Sequence, residues 1–350
     1  MKKVCTLLLV VLTATLFSCG QKQPIFISAT DTAIHYTGRF DFTDKSKPAF
    51  MYSGCMISTG FTGTGISIKL QDDSLKNWFT VKLDDSIFIF RSNKKESVYQ
   101  LAKNLADKNH NIEISRRTEW HAGNTIFHGF EIDNGKKLFP LPKLSRTIEF
   151  IGDSYTCGYG NEGKSTQEHF KYETENNYLT FGTIAARKLD AAYVSVCRSG
   201  IGMYQGYGGN KDFVQPRFYD EVIMNSKVVW DYKNNQPDVV VIALGGNDLS
   251  APLDSAAFVD TYVHFLKKIR NQYPAAKIIC VSWTEIVEGY NRYHTHVLAA
   301  AELFKKMDAE TYFFQFSPFE PAGSDWHPTV QQHDQMATEL VPFIKKIANW

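Results

Sequence analysis

The segment Thr147-Ile148-Glu149-Phe150-Ile151-Gly152-Asp153-Ser154 decides how the second half of this chain folds. Its first five residues are β-branched or apolar around one glutamate, which is typical of a buried strand. The strand runs directly into Gly-Asp-Ser, where the glycine permits a tight turn and the serine hydroxyl can point out of the sheet edge. A serine in this position is either a helix N-cap or a nucleophile, and the triplet alone does not separate the two.

Four more strand-like runs follow, and they alternate with segments of helical spacing. Residues 238–244 are almost continuously apolar, as in a strand that is buried on both faces. This alternation predicts an α/β domain with a parallel sheet over residues 146–350, in which ligands bind at the carboxyl ends of the strands. The predicted strands are 147–151, 192–197, 238–244, 277–283 and 311–315. Three helices are predicted: one that is capped by Ser255 and ends at Tyr273-Pro274, one over 291–307 and one over 330–348.

The first half of the chain has a different rhythm. Residues 25–145 contain short runs that alternate apolar and polar positions, such as Ile66-Ser67-Ile68-Lys69-Leu70. Alternation of this kind places one face of a strand in the core and the other in water, so an all-β sandwich or jelly roll is predicted for residues 19–145. Pro140 and Pro142 make the linker to the second half stiff and extended, which favours docked domains.

The first residues have the layout of a bacterial secretory signal. Lys2 and Lys3 precede an apolar run over 4–17, and the run ends in Leu16-Phe17-Ser18-Cys19. This ending resembles the lipobox of bacterial lipoproteins. It predicts that residues 1–18 are removed and that acyl chains on Cys19 anchor an exported protein to a membrane, either in the periplasm or at the cell surface. The alternative is an ordinary signal peptide that is cut elsewhere.

Composition excludes several other classes of partner. The net charge of the 350 residues is +1 without basic or acidic blocks, so no nucleic-acid partner is expected. Cys197 and Cys280 each lie in an apolar run and are interpreted as small buried residues. Because no Cys-x-x-Cys occurs, neither a metal nor a redox cofactor is predicted.

Three further motifs lie in predicted loops of the second half. They are Arg198-Ser199-Gly200, Gly245-Gly246-Asn247-Asp248 and Asp325-Trp326-His327-Pro328. Ester cleavage needs a nucleophile, a base and donors for a developing oxyanion. Ser154 would supply the hydroxyl and His327 the base, while the Ser154 N–H, the Gly200 N–H and the Asn247 amide would form the oxyanion hole.

Ser154, Gly200, Asn247 and His327, in this order, resemble the SGNH (GDSL-type) hydrolase superfamily. The resemblance implies a three-layer α/β domain with a flavodoxin-like parallel sheet. The preceding sandwich, which opens with His35-Tyr36-Thr37-Gly38-Arg39, and the Asp-Trp-His-Pro motif are similar to carbohydrate esterase family 2. That resemblance implies an acetyl esterase without a cofactor, which acts on acetylated polysaccharides such as xylan or mannan.

One position departs from the superfamily. The triad aspartate there stands three residues before the histidine, where this chain has Ser324, and Asp325 stands two before it. Either the Asp325 carboxylate orients His327, or a backbone carbonyl near Gly323 or Ser324 does so in a Ser–His dyad. The resemblance implies the dyad. Asp153 is interpreted as structural, bonding backbone groups of the turn that holds Ser154.

The motifs around Ser154 and His327 also contain aromatic residues that could contact a sugar, and several histidines lie elsewhere in the chain. Trp326 and Tyr155 are candidate surfaces for stacking a sugar ring, and Tyr159 and Trp283 are weaker candidates of the same kind. His294 and His296, at i and i+2 of a predicted helix, are interpreted as surface residues. No partners are predicted for His169 and His333.

The hypothesis from sequence is therefore a membrane-anchored, exported serine esterase whose substrate is an acetylated polysaccharide or oligosaccharide. Rivals with the same chemistry are a lipase, a thioesterase, another SGNH esterase and a peptidoglycan O-acetyl esterase. A rival from another class is a glycan-binding lipoprotein with a degenerate hydrolase domain.

Overall fold

The structure is a computed structural model that describes residues 23–224, 226–284 and 291–350. Antiparallel strands occupy the chain from Ile25 to Phe139, and a parallel sheet begins at Arg146. The fold class predicted from the two rhythms is thereby confirmed. The predicted signal peptide and Cys19 lie outside the described residues, so their roles stay predictions.

The first domain is a β-sandwich of two six-stranded antiparallel sheets. Its strands are β1 (Ile25–Ser28), β2 (His35–Thr37), β3 (Phe40–Asp41), β4 (Ala49–Phe50), β5 (Met56–Gly63), β6 (Ile66–Asp72), β7 (Trp78–Leu83), β8 (Ser86–Arg91), β9 (Glu96–Ala102), β10 (Lys108–Arg116), β11 (Thr125–Ile132) and β12 (Leu138–Phe139). One sheet has the order β3-β4-β11-β6-β9, and β1 also pairs with β11. The other has the order β12-β5-β10-β7-β8, and β2 also pairs with β5.

Strand β6 shows why these residues form a sandwich. Ile66, Ile68 and Leu70 are fully buried between the sheets, while the residues between them keep part of their surface exposed. The period of two in the sequence is therefore the period of the pleat. The linker begins as β12, which pairs with β5 before the chain leaves the sandwich.

The second domain is built on a five-stranded parallel sheet. Its strands are β13 (Arg146–Gly152), β14 (Ala191–Cys197), β15 (Val239–Ala243), β16 (Lys277–Ser282) and β17 (Thr311–Gln315), in the order β14-β13-β15-β16-β17. This is the flavodoxin-like order: the chain passes from β13 to its neighbour β14 on one side, then crosses over to β15 on the other side of β13, so the direction of winding changes beside β13. The loops after β13, β14 and β15 therefore meet at one edge of the sheet, where a ligand crevice is expected.

Six α-helices complete the described part of this domain. They are α1 (Ser154–Cys157), α2 (Phe181–Lys188), α3 (Gln215–Phe218), α4 (Ser255–Gln272), α5 (Asn291–Lys305) and α6 (Val330–Ala348). The prediction that Ser255 caps α4 is wrong, because the Asp254 carboxylate accepts hydrogen bonds from the N–H groups of Ala256 and Ala257. Within the described ranges, no helix is both long and apolar enough to cross a membrane.

Buried arginines join the two domains. The Arg39 guanidinium, from the sandwich, lies 3.7 Å from the Glu149 carboxylate of β13. Arg198, just after β14, donates to the Tyr52 hydroxyl of the sandwich at 2.7 Å. Arg117 Nε donates to the Glu175 carbonyl at 3.2 Å. Because a buried cation without partners is costly, these bonds specify how the domains dock.

Candidate active site

The nucleophile candidate Ser154 lies at the junction of β13 and α1. Asp153 is the N-cap of this short helix, since its carboxylate accepts the Tyr155 N–H at 3.1 Å, and Gly158 ends the helix in the left-handed conformation. The capping role therefore belongs to Asp153, as the structural interpretation of that residue expected. The Ser154 hydroxyl serves no cap, and the residue as a whole is 8% exposed.

His327 faces this hydroxyl from the loop that precedes α6. Its Nε2 lies 2.9 Å from Ser154 Oγ. Its Nδ1 lies 3.1 Å from the Ser324 carbonyl oxygen and 3.0 Å from the Asp325 carbonyl oxygen. Carbonyl oxygens only accept, so Nδ1 carries the proton and Nε2 is free to accept one from the serine.

The Asp325 carboxylate points away from this pair. It accepts hydrogen bonds from the Tyr159 hydroxyl at 3.0 Å and the Phe170 N–H at 2.8 Å, and it lies 2.8 Å from His169 Nδ1. Of the two alternatives for the group that orients His327, the Asp325 carboxylate does not make that contact in this geometry. The carbonyl oxygens of Ser324 and Asp325 take that position, as in a Ser–His dyad.

The backbone of the loop explains how these carbonyls turn toward the imidazole. Asp325 and Trp326 have φ values of 48° and 61°, in the left-handed region that a bulky residue rarely occupies. Partial burial would raise the pKa of Asp325, but the bonds from His169, Phe170 and Tyr159 outweigh it and hold the pKa below its usual value. The ionised carboxylate thus anchors the strained turn that presents the carbonyls.

Aromatic rings enclose His327. The Tyr159 ring stacks on the imidazole with centroids 4.2 Å apart, and the Tyr155 ring approaches it at 5.5 Å and 65°. Burial lowers the pKa of His327 to about 4, although the imidazole keeps part of its surface exposed. His327 is therefore neutral at neutral pH, as a general base must be.

The two candidate oxyanion donors besides Ser154 lie in the loops that follow β14 and β15. Gly200 has a φ of 81°, which a side chain would strain, although a Cβ there would meet its nearest neighbour only at 3.8 Å. The glycine thus serves the backbone conformation rather than a close approach of its neighbours. The Asn247 amide donates to the Ile201 carbonyl at 2.9 Å and makes a longer contact of 3.4 Å with the Asp153 carboxylate, which an oxyanion could replace.

Comparisons with known proteins assign a family to each half of the chain. Residues 36–142 match the carbohydrate esterase 2 N-terminal family, and residues 150–341 match the GDSL-like lipase/acylhydrolase family. A family two carbohydrate esterase from Clostridium thermocellum, solved in complex with cellohexaose, is 35% identical, with a TM-score of 0.86 over 91% of this chain and 99% of that one. The chain belongs to carbohydrate esterase family 2.

Two curated relatives extend this comparison. The acetylxylan esterase / glucomannan deacetylase of Cellvibrio japonicus is 28% identical over the full length of both chains. The cellulase/esterase CelE of Acetivibrio thermocellus is 35% identical over 91% of this chain, which spans 40% of the length of that relative.

The candidate sugar-stacking residues of this family 2 protein fall into two groups. Trp326, beside His327, is 51% exposed and remains a candidate. Tyr155 is 7% exposed, and its ring stacks on the buried Trp283 at 4.8 Å, so neither offers the open face that was predicted. Tyr207, which sequence reasoning missed, is 72% exposed, and its N–H donates to the Gly200 carbonyl at 2.8 Å.

Asp248 was also missed as a site residue. Its buried carboxylate accepts the N–H groups of Met203, Tyr204 and Gln205 at 2.7 to 2.9 Å. Burial raises the pKa of Asp248 to about 6 in spite of these bonds. The residue after Asn247 thus ties the β15 loop to the loop that carries Gly200.

Two histidines have partners where none was predicted. His169 pairs with Asp325, and the Phe181 N–H donates to His333 Nδ1 at 3.3 Å. His296 is half-buried against the Ser255 hydroxyl, and the side chain of His294 lies outside the described part of the chain. Over the described residues, no group of three or more His, Cys, Asp or Glu side chains is arranged to hold a metal ion.

The four cysteines in the described ranges are free thiols, and all are buried. Cys197 and Cys280 end up inside the parallel sheet, as their apolar context predicted.

Proposed function

We propose that this protein is a serine esterase that removes O-acetyl groups from β-linked plant polysaccharides such as xylan or glucomannan. The observation that carries the proposal is the 2.9 Å contact between Ser154 Oγ and His327 Nε2, at the sheet edge where Gly200 and Asn247 offer donors. A hydroxyl, a neutral base and two uncharged donors together suffice for acyl transfer.

The first half-reaction transfers the acetyl group to the protein. Ser154 Oγ attacks the acetyl carbonyl carbon while His327 Nε2 takes its proton. The Ser154 and Gly200 N–H groups and the Asn247 amide hold the oxyanion of the tetrahedral intermediate. Its collapse breaks the bond to the sugar oxygen, which receives the proton from His327, and leaves acetyl-Ser154.

The second half-reaction returns the serine. A water molecule gives a proton to His327 Nε2 and attacks the acetyl carbon, and the same donors hold the second oxyanion. Acetate then leaves as Ser154 Oγ recovers its proton. The Ser324 and Asp325 carbonyls accept from Nδ1–H throughout, so they stabilise the imidazolium as well as the tautomer.

Two exposed rings support a carbohydrate substrate. Trp326 adjoins the base and Tyr207 adjoins the oxyanion glycine, so a sugar chain lying between them would present a ring substituent to Ser154. Aromatic faces suit the apolar face of a pyranose ring. The relative solved with cellohexaose and the relative named as a glucomannan deacetylase favour a β-1,4-linked backbone.

We also propose that Cys19 carries a lipid anchor, on the strength of the Leu-Phe-Ser-Cys sequence at the end of the apolar run. Fractionation of a bacterial host that expresses the full chain tests this proposal. The wild-type protein should be found with membranes and Cys19→Ala in the soluble fraction. An equal distribution of both proteins would contradict the anchor.

Acetate release from a panel of polymers tests the enzymatic proposal. The panel comprises acetylated xylan, acetylated glucomannan, acetylated pectin and O-acetylated peptidoglycan, with Ser154→Ala as the control. We expect the wild-type protein to release acetate fastest from xylan or glucomannan and Ser154→Ala to release none above background. Binding to these glycans without acetate release would support a glycan-binding protein, and a preference for peptidoglycan would reassign the substrate.

A further inference from the structure

The loop that carries the oxyanion glycine is held by a residue of the other domain. Ser199, immediately before Gly200, donates its N–H to Glu119 Oε2 at 2.7 Å, and its hydroxyl donates to Glu119 Oε1. Glu119 follows β10 of the sandwich and is completely buried. The Glu119 carboxylate, from the first domain, thus accepts both the N–H and the hydroxyl of Ser199, the residue before Gly200.

The surroundings of Glu119 keep it ionised. Burial opposes the charge, but the bonds from His121 and Ser199 outweigh burial and lower the pKa of Glu119. His121 Nδ1 lies 3.6 Å from Glu119 Oε1, and the Cys157 thiol lies 3.5 Å from Oε2. An ionised carboxylate accepts more strongly than a neutral one, so the contact to Ser199 is a charge-assisted pair of bonds.

A second buried carboxyl lies against the first. Glu175 accepts the Glu119 N–H at 3.3 Å through Oε2, and within the described residues its buried Oε1 receives no donor. Burial and the negative charge of Glu119 raise the pKa of Glu175 well above its usual value. Glu175 is therefore the protonated member of the pair.

We propose that Glu119 is a positioning residue for the esterase reaction: from the sandwich domain, it fixes Ser199 so that the next N–H, that of Gly200, points at the oxyanion. The inference rests on the proposed function. The contact joins residues 80 positions apart and crosses the domain boundary, which makes the sandwich part of the catalytic apparatus. Since an oxyanion donor acts only where charge develops, its misplacement should slow the reaction without weakening substrate binding.

Two isosteric variants of the same buried pair test the proposal. Glu119→Gln leaves one acceptor oxygen for two Ser199 donors, whereas Glu175→Gln keeps an oxygen that can accept the Glu119 N–H and, like the protonated acid, carries no charge. With p-nitrophenyl acetate, we expect Glu119→Gln to lower kcat and kcat/KM equally, by about 10- to 100-fold, with KM nearly constant, because removal of a complete oxyanion donor costs about 10²- to 10³-fold. Glu175→Gln should stay within about threefold of the wild type.

A third variant covers the case in which Glu119→Gln does not fold. Ser199→Ala removes one of the two bonds to Glu119 at a half-buried position, and we expect kcat to fall by about 3- to 10-fold at constant KM. Wild-type kcat in folded Glu119→Gln or in Ser199→Ala would overturn the proposal, as would equal losses of kcat in the two glutamate variants. A wild-type protein without esterase activity would instead overturn the proposed function.

Discussion

The hydrogen bonds nearest to Ser154 and His327 come from residues of their own loops, whereas the loop after β14 is bonded by carboxylates from elsewhere in the chain. This loop, which carries Gly200, is called the oxyanion loop. Asp153 caps the turn beside Ser154, and the carbonyls of Ser324 and Asp325 face His327. Asp248 and Glu119 instead reach the oxyanion loop from β15 and from the sandwich. The bonds nearest to Ser154 and His327 are thus local in sequence, although the His327 loop is also tied through Asp325 to Tyr159 and Phe170. The loop that carries Gly200 depends directly on distant carboxylates.

The largest effect is expected from a change to His327, whose orienting bonds come from its own loop. His327→Ala removes the base, and we expect the rate of acetate release to fall by at least about 10⁴-fold, because the nucleophile then keeps its proton. Initial rates of acetate release by the purified protein, measured at a saturating concentration of acetylated xylan, test this effect. A loss smaller than tenfold in a folded protein would mean that another group takes the proton.

Asp248→Asn tests the loop after β14, which is bonded by a carboxylate from another loop. The amide keeps one acceptor oxygen where the carboxylate now receives three N–H groups, so we expect kcat to fall by about 10- to 100-fold with little change in KM. The matched control is Asp254→Asn at the start of α4, where asparagine caps a helix as well as aspartate does. Equal kcat values for both variants would show that Asp248 does not position the loop that carries Gly200.

Asp325→Asn separates the dyad from a triad. Because the carboxylate contacts Tyr159, His169 and Phe170 rather than His327, and asparagine can still accept from the first and last of these, we expect kcat to fall by less than about tenfold. Loss of the orienting acid in a serine protease triad costs about 10⁴-fold. A loss of that size here would show that the carboxylate supports the imidazole directly.

The pH dependence should show the smallest change. With a pKa of about 4 for His327, kcat/KM should vary by less than about twofold between about pH 5.5 and 7.5, whereas a histidine of ordinary pKa would lose about tenfold over this range. Stability has a related dependence. The folded pKa of His327 lies below its unfolded value, so the contribution of His327 to the free energy of unfolding is fully present above about pH 6.5 and is lost as the pH drops toward 4. A kinetic midpoint near 6.5 would contradict the buried base.

Local patterns in the sequence were sufficient to predict the frame of the site. The apolar run over 238–244 is β15 within one or two residues, and the last predicted helix, 330–348, coincides with α6. Such elements are specified by periodicity and by caps such as Thr329, all of which lie within a few residues in sequence. The four motifs follow strands or precede a helix, so their meeting at one sheet edge followed from the topology.

Contacts that depend on distant residues could not be predicted in this way. Nothing in Arg117-Thr118-Glu119 indicates that Glu119 enters the other domain, since its partner Ser199 is far away in sequence. The burial of Tyr155 depends on its stacking with Trp283, which pattern reasoning does not reveal. The orientation of Asp325 depends on two successive left-handed residues, a conformation that pattern reasoning does not assign to aspartate and tryptophan.

The identity of the nucleophile is the central claim, and trapping of the acyl-enzyme tests it most directly. Protein mixed with p-nitrophenyl acetate is quenched with acid within the first turnover, digested and analysed by mass spectrometry. We expect an acetyl group on Ser154 in the wild-type protein and no acetylated site in Ser154→Ala. Acetate release without acetylation of Ser154, or at an undiminished rate from Ser154→Ala, would contradict it.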